Sequence, residues 1–179
     1  MGIDPIAELD SLLVPIDGSQ ASLRAISVAC EIAHRHKGCS VSAVHVIEIP
    51  RRLPLEAELV TELEHGEMIL GQAEKLAQTQ GITINGDLLQ ARQAGPAIVD
   101  EANERGTNAI VMGIDYHRPH GTFQLGRLPQ YALVHALCEV WLIRYPAENI
   151  VEHATDHTVR QNNTAMFTGL VSERAEDTV

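Results

Sequence analysis

The sequence predicts an α/β protein in which a parallel sheet carries helices on both faces. Two observations support this fold class. Short apolar segments rich in Val, Ile and Leu recur along the chain, and most are followed by a segment with the apolar spacing of a helix. Glycine or proline separates many of these segments. Because strand and helix alternate throughout, the strands are expected to be parallel with right-handed crossovers, which is a doubly wound α/β sandwich.

The first strand and helix are predicted from residues 12–16 and the segment after them. Residues 12–16 form a continuous apolar run, typical of a strand buried on both faces, and Pro15 indicates an irregularity near its end. Ser19 is a favourable N-cap, and Gly38 a favourable stop, for the helix that follows. The apolar face of this helix comprises Leu23, Ile26, Cys30 and Ala33.

The second strand is predicted at 40–49, and a long helix is predicted from the apolar positions between Leu55 and Ala77. Gly66 and Gly71 each lower the stability of that helix by about 1 kcal/mol relative to Ala. The third strand is predicted at 82–90.

The remaining elements follow the same alternation. Pro96 suits the first turn of a third helix, which is expected to run to about Arg105. A fourth strand at 108–113, a helix at 127–137 and a fifth strand at 140–143 complete the pattern.

One domain, residues 11–145, is expected to contain all of these elements. Residues 1–10 are interpreted as an N-terminal extension. Residues 146–179 are polar and acidic and have no sustained period, so we expect a largely disordered tail.

Composition restricts the class of partner. The formal net charge is -11 with no basic run, which argues against nucleic acid and against anionic lipid. No apolar run approaches the roughly 20 residues of a membrane span, and no signal-peptide pattern is present. The three cysteines are far apart, which suggests neither a disulfide framework nor a zinc site. We therefore expect a cytoplasmic protein with no membrane insertion.

The predicted sheet places a crevice between strands one and four. Ligands of open parallel sheets bind beyond the carboxyl ends of the strands, where the winding reverses. If strands one to three wind one way and strands four and five the other, the crevice lies between "PIDGS" and "VMGIDYH". Both segments are polar and contain glycine, so we expect the functional site there.

The order of the segments "LLVPIDGS", "VSAVHVIE", "AGPAIVDEANERGTNAIVMG" and "CEVWLIR" resembles the universal stress protein family over about residues 11–145. The resemblance implies a five-stranded parallel sheet of the Rossmann-like, adenine-nucleotide-hydrolase-like type, with strand order 3-2-1-4-5. Nucleotide-binding members of the family carry G-x2-G-x9-G followed by Ser or Thr, between strand four and the last helix. They use an Asp at the end of strand one for the ribose and the backbone of a Val at the end of strand two for adenine.

Four residues of this sequence match the family pattern directly. Asp17 matches the ribose-binding Asp, and Val46 matches the adenine-contacting Val. Gly113 and Gly126 match the first and third glycines at the family's spacing. The resemblance therefore implies a site for ATP or another adenine nucleotide.

Two residues depart from the pattern. Tyr116 occupies the position of the second glycine, where a bulky side chain would enter the space of a phosphate. Arg127 replaces the phosphate-binding hydroxyl with a cation at a helix N-terminus. Such a cation opposes the helix dipole unless an anion lies between them, so Arg127 is either a tolerated surface residue or a direct phosphate partner.

The histidines are not expected to form a metal site or a catalytic site. "HRPH", residues 117–120, supplies two His with no convergent Cys or carboxylate set. His117, Arg118 and His120 are interpreted as a solvated loop, with phosphate contact or pH sensing as the alternative. His45 alternates with two valines and is interpreted as a partly buried structural residue.

The resemblance implies a small stress-response protein that binds a ligand or a partner and has at most slow ATPase activity. Two alternatives remain open. The protein could act through protein contacts alone, with Tyr116 filling the pocket, or it could be a small enzyme of the related hydrolase-like scaffold. The last is disfavoured because "DGSQAS" is too short and too poor in glycine to cradle phosphate.

A homodimer is expected through strand five. If the strand that includes Val140 and Ile143 lies at the sheet edge, its unpaired backbone is a liability in a monomer. Pairing with its own copy about a two-fold axis would cover it. A regulatory protein partner is also possible.

Overall fold

Five strands and four helices alternate along residues 9–115 and 123–145, the part of the chain that the structure, a computed structural model, describes. In chain order they are β1 (Ser11–Pro15), α1 (Gln20–Arg35), β2 (Ser40–Glu48), α2 (Val60–Thr79), β3 (Asn85–Ala91), α3 (Ala94–Glu104), β4 (Ala109–Asp115), α4 (Arg127–His135) and β5 (Glu139–Tyr145).

The sheet is parallel throughout and has the order β3-β2-β1-β4-β5, as predicted. β1 is central and pairs with β2 in the register Ser11↔Ser40 and with β4 in the register Leu12↔Ala109. Its side chains at Leu12, Leu13 and Val14 are completely buried. The continuous apolar run in the sequence reflects this burial on both faces.

Two hydrophobic clusters lie on opposite faces of the sheet. Leu12 and Val14 face the first, which packs against α1 and α2 and includes Ile26, Ala29 and Ile69. Leu13, one residue along the strand, faces the second, which packs against α3 and α4 and includes Ile98 and Ala132. The alternation of side chains along β1 therefore supplies both cores.

Helix α2 begins later than predicted, at Val60 rather than near Leu55. The segment before it forms turns, in which the Leu53 N–H donates to the Pro50 carbonyl at 3.0 Å and the Ala57 N–H donates to the Pro54 carbonyl at 3.2 Å. Proline disfavours helical geometry in the residue before it, and Pro50 and Pro54 both lie in this segment. The apolar spacing therefore begins at Leu55, several residues before the helix itself.

Other strand and helix ends also differ from the predictions, β1 and β4 among them, which are Ser11–Pro15 and Ala109–Asp115. β5 extends over Glu139–Tyr145 because it pairs with β4 along its whole length, to Asp115↔Tyr145. β3 begins at Asn85, three residues later than predicted. α4 ends at His135, because Ala136 has an extended backbone conformation.

Gly66 has a packing role that its helix propensity does not reveal. A Cβ at this position would lie 2.5 Å from Leu88 Cδ1 and 3.0 Å from His45 Cδ2. The glycine therefore allows α2 to approach β2 and β3 closely. The effect of Gly66 on stability is thus set by tertiary packing.

The predicted extension at 1–10 lies outside the described residues except for its last two positions, and the predicted tail lies outside them entirely. No helix among the described residues has the length and apolar character that a membrane span requires.

Candidate functional site

A cleft of about 760 Å³ lies at the carboxyl ends of β1, β2 and β4. This is the crevice expected where the winding of the sheet reverses. The cleft brings together five of the six predicted site residues, namely Asp17, Val46, Gly113, Gly126 and Arg127. The sixth, Tyr116, lies outside the described residues, as do His117, Arg118 and His120.

Asp17 is held in a hydrogen-bonded turn between β1 and α1. Its Oδ1 accepts from the Ser19 N–H at 2.9 Å, and its own N–H donates to Ser22 Oγ at 3.4 Å. Ser22 is buried and donates from Oγ to the Ser19 carbonyl at 2.9 Å, while Ser19 Oγ caps α1 by accepting from the Ser22 N–H. The turn therefore fixes the position of an exposed carboxylate at the mouth of the cleft.

Two opposing effects set the charge of Asp17. Although the residue is exposed, partial desolvation of its carboxyl in the cleft would by itself raise the pKa, but hydrogen bonds from Ser19 and Ser22 together outweigh this effect and lower the pKa below the usual 3.8. Asp17 is therefore ionised at neutral pH and can accept hydrogen bonds from hydroxyl groups.

Val46 presents backbone polar groups to the cleft. The Ile16 N–H donates to the Val44 carbonyl at 2.9 Å, so the backbone of Val44 faces β1. Val46, two residues further along β2, faces the same edge. The β1–β2 register ends at Pro15↔Val44, whereas β2 continues alongside β3 to Glu48. The Val46 carbonyl therefore points to the space beyond the end of β1.

Gly113 is required by packing inside the protein. A Cβ on Gly113 would overlap the backbone carbonyl of Ala21 and lie 2.7 Å from the Ser22 nitrogen. β4 therefore contacts the backbone of the first turn of α1, which only glycine permits. This contact joins β4 to the start of α1 beside the cleft.

Gly126 differs from Gly113, because nothing in the described residues requires a glycine there. Its φ of -64° is open to any residue, and an added Cβ would approach only Pro129 Cδ, at 3.7 Å. Gly126 is the N-cap of α4 and, lacking a side chain, forms no capping bond. Arg127, the first residue of α4, is exposed and forms no ion pair among the described residues.

Three helices begin at the cleft, and their N-termini differ in how they are capped. α1 is capped by Ser19 Oγ, and α3 is capped by Glu48, whose Oε1 accepts from the Ala94 N–H at 2.8 Å. α4 has no side-chain cap and no acidic residue in its first turn. The cleft therefore contains an uncapped helix N-terminus, which is suited to an anion. Sequence reasoning missed Glu48, because its partner is 46 residues away.

His45 is placed as predicted, on the opposite face of β2 from Val44 and Val46. Its Nδ1 lies 2.8 Å from the Ile16 carbonyl, so Nδ1 is the protonated nitrogen, and its ring contacts α2 at Gly66. The two valines pack against the second cluster instead. In the described parts of the chain, no three His, Cys, Asp or Glu side chains are grouped to hold a metal ion.

The family model described as the universal stress protein family matches residues 8–144. Comparison with curated proteins finds no match.

Solved structures share the fold. A universal stress protein from Archaeoglobus fulgidus is 24% identical with a TM-score of 0.63, and the match covers 75% of this chain and 98% of that one. The universal stress protein from the same organism in complex with dAMP is 22% identical with a TM-score of 0.60, covering 76% and 98%. An Arabidopsis thaliana universal stress protein family protein with AMP bound is 16% identical with a TM-score of 0.56, covering 77% and 93%.

The family match covers every strand and helix described above except the last residue of β5, and the strand order is the one that the resemblance implies. The chain belongs to the universal stress protein family.

Proposed function

We propose that the cleft binds an adenine nucleotide, with ATP or AMP as candidates, and that its phosphates lie at the N-terminus of α4. The observation that carries this proposal is the uncapped N-terminus of α4, which opens on the same cleft as Asp17 and Val46. Backbone N–H groups at a helix N-terminus favour negative charge.

Each end of the nucleotide has a counterpart in the cleft. The Asp17 carboxylate is an acceptor for ribose hydroxyls, and the backbone of Val46 meets the adenine edge. Gly126 leaves space for a phosphate to approach the backbone, and Arg127 supplies a cation in place of the family's Ser or Thr. The related proteins with bound dAMP and AMP support this assignment.

Calorimetric titration of the full chain with ATP and magnesium, and with AMP, tests the proposal. Asp17→Ala is expected to weaken binding about tenfold or more, the usual effect of losing a hydrogen bond to a charged group. Asp100→Ala is the matched control, since Asp100 is an exposed carboxylate of α3 outside the cleft lining. Absence of heat and of thermal shift at millimolar nucleotide would contradict the proposal.

The second candidate function is protein contact without nucleotide, which an exposed apolar surface favours. Leu133, Val134 and Leu137, at the end of α4 and just after it, are 52%, 75% and 86% exposed. Large apolar side chains grouped on a surface are typical of interaction sites. This candidate predicts that partner capture survives Asp17→Ala, whereas nucleotide-dependent function does not.

We further propose a homodimer through β5, which lies at the edge of the sheet. Its outer backbone edge has no partner strand among the described residues, and pairing with a second copy would satisfy it. Sedimentation velocity at micromolar concentration is expected to give a dimer. A stable monomer would contradict this proposal.

Hydrolysis of bound ATP is expected to be slow or absent. His45 is engaged in the fold, because its Nδ1 donates to the Ile16 carbonyl and its ring faces α2. It is therefore not positioned as a general base for hydrolysis. Release of inorganic phosphate from ATP measures the rate directly. Sustained multiple turnovers that Asp17→Ala abolishes would overturn this expectation.

A further inference from the structure

The N-termini of α3 and α4 both open on the cleft. The two helices pack against each other, so that a Cβ on Gly95 would lie 2.9 Å from Tyr131 Cβ, while α3 also packs on β2 and β3 and α4 on β5. The first N–H of α3 lies at the end of β2, where it donates to Glu48. A ligand that extends from Val46 at the end of β2 to Gly126 therefore passes two neighbouring helix N-termini.

The two N-termini have the same backbone design. Each helix has proline as its third residue, Pro96 in α3 and Pro129 in α4, so two N–H groups precede a residue without one. The first intrahelical bond is made by the fourth residue in both, from Ala97 to Gln93 at 3.5 Å and from Gln130 to Gly126 at 3.3 Å. Neither N-cap residue supplies a side-chain cap. As isolated helices, both would attract an anion equally.

Glu48 distinguishes them. It is the last residue of β2, on the same face as Val44 and Val46, and its Oε1 accepts from the Ala94 N–H at 2.8 Å. Its carboxylate is exposed and lines the cleft. The N-terminus of α3 is thus already paired with an anion of the protein itself, the Glu48 carboxylate, whereas α4 begins with the cation Arg127.

We infer that Glu48 is a specificity-determining residue that reserves the β2 side of the cleft for the uncharged base and so fixes the direction in which a nucleotide binds. The Glu48 carboxylate both occupies the first N–H of α3 and repels a phosphate from it. The phosphate end is then directed to α4. This inference rests on the proposed nucleotide binding.

Amide NMR titration of the full chain tests it, with inorganic phosphate and AMP as separate probes. In the wild type, both probes are expected to shift the Arg127 and Leu128 amides, and phosphate is expected to leave Ala94 and Gly95 unchanged. In Glu48→Ala, phosphate is expected to shift Ala94 and Gly95 as well. The preference for AMP over ribose 5-phosphate is expected to fall roughly two- to fivefold, the usual range for a charge at a helix end.

Two further variants isolate the charge. Glu48→Gln keeps an acceptor for the Ala94 N–H and removes the negative charge, so it is expected to fall between wild type and Glu48→Ala. Glu62→Ala removes an exposed carboxylate from the first turn of α2, outside the cleft lining, and is expected to match the wild type.

The outcomes separate this inference from the proposed function. If phosphate shifts Arg127 and Leu128 but leaves Ala94 and Gly95 unchanged in Glu48→Ala, the inference fails and the proposed function stands. If neither probe shifts Arg127 or Leu128 in the wild type, the proposed function fails and the inference falls with it.

Discussion

Gly113 and Gly126 match the same family motif, yet the structure places them in different physical situations. A Cβ on Gly113 would collide with the backbone of α1, whereas a Cβ on Gly126 would meet only Pro129 at ordinary contact distance. Gly113 is required by the fold itself, while nothing in the described residues requires Gly126. The comparison teaches that a motif glycine indicates a ligand only where the protein's own packing leaves the glycine unexplained.

The largest effect is expected from Gly113→Ala. The added methyl group would overlap the Ala21 carbonyl, and backbone cannot move as a flexible side chain can, so we expect a loss of about 3 kcal/mol or more in unfolding free energy. Urea denaturation measures this. Gly71→Ala is the control, since nothing lies within 4 Å of its added Cβ, and it is expected to stabilise α2 by about 0.5–1 kcal/mol. Equal stability of the two variants would remove the proposed distinction.

A smaller effect, confined to binding, is expected from Arg127→Gln. The side chain is exposed and has no ion-pair partner in the described ranges, so its loss should leave stability within about 0.5 kcal/mol. Nucleotide affinity is expected to fall about three- to tenfold, with a weaker salt dependence, because one charge-assisted contact is lost. Arg24→Gln, on the outer face of α1, is the control. Unchanged affinity and salt dependence would make Arg127 a tolerated surface residue.

Gly126→Ala tests the same comparison at the glycine that packing does not require. Stability is expected to change by less than about 0.5 kcal/mol, since the φ of -64° and the surroundings accept a methyl group. Affinity for AMP is expected to fall about threefold if a phosphate approaches this backbone closely. Calorimetry and denaturation on the same sample check both expectations. A large loss of stability would show that Gly126 also serves the fold.

The smallest effect concerns the pH dependence of stability. The lowered pKa of Asp17 means that its ionised form stabilises the folded state above the usual pKa of 3.8, and that this contribution is lost as pH falls through the folded pKa. Wild type is therefore expected to lose slightly more stability than Asp17→Asn between about pH 5 and about pH 2.5. Urea denaturation across that range gives the difference. An identical slope in both proteins would contradict the lowered pKa.

The sequence predicted the elements whose signals are local. The strand order, the Ser19 cap and the place of Pro96 in the first turn of α3 were confirmed. The start of α2 was wrong, because Leu55 continues the apolar period although its segment forms turns.

The contacts that explain the site are long-range and were therefore invisible in the sequence. From the sequence, Gly66 is only a residue of low helix propensity, whereas in the structure it lies against Leu88 and His45. From the sequence, Glu48 is only the polar end of a strand, whereas in the structure its carboxylate accepts from the Ala94 N–H. Residue types predicted which residues surround the cleft, but their capping and packing roles depend on contacts between residues far apart in the sequence, which only the structure shows.

The central position of β1 has a consequence for synthesis on the ribosome. β1 pairs with β2 on one side and with β4 on the other, and β4 follows it by almost a hundred residues. Until β4 has been translated, a growing chain that has already formed β1, β2 and β3 presents β1, its most buried strand, as an open edge. We therefore expect the nascent protein to be prone to aggregation in that interval, and to complete the cleft only after α4 emerges.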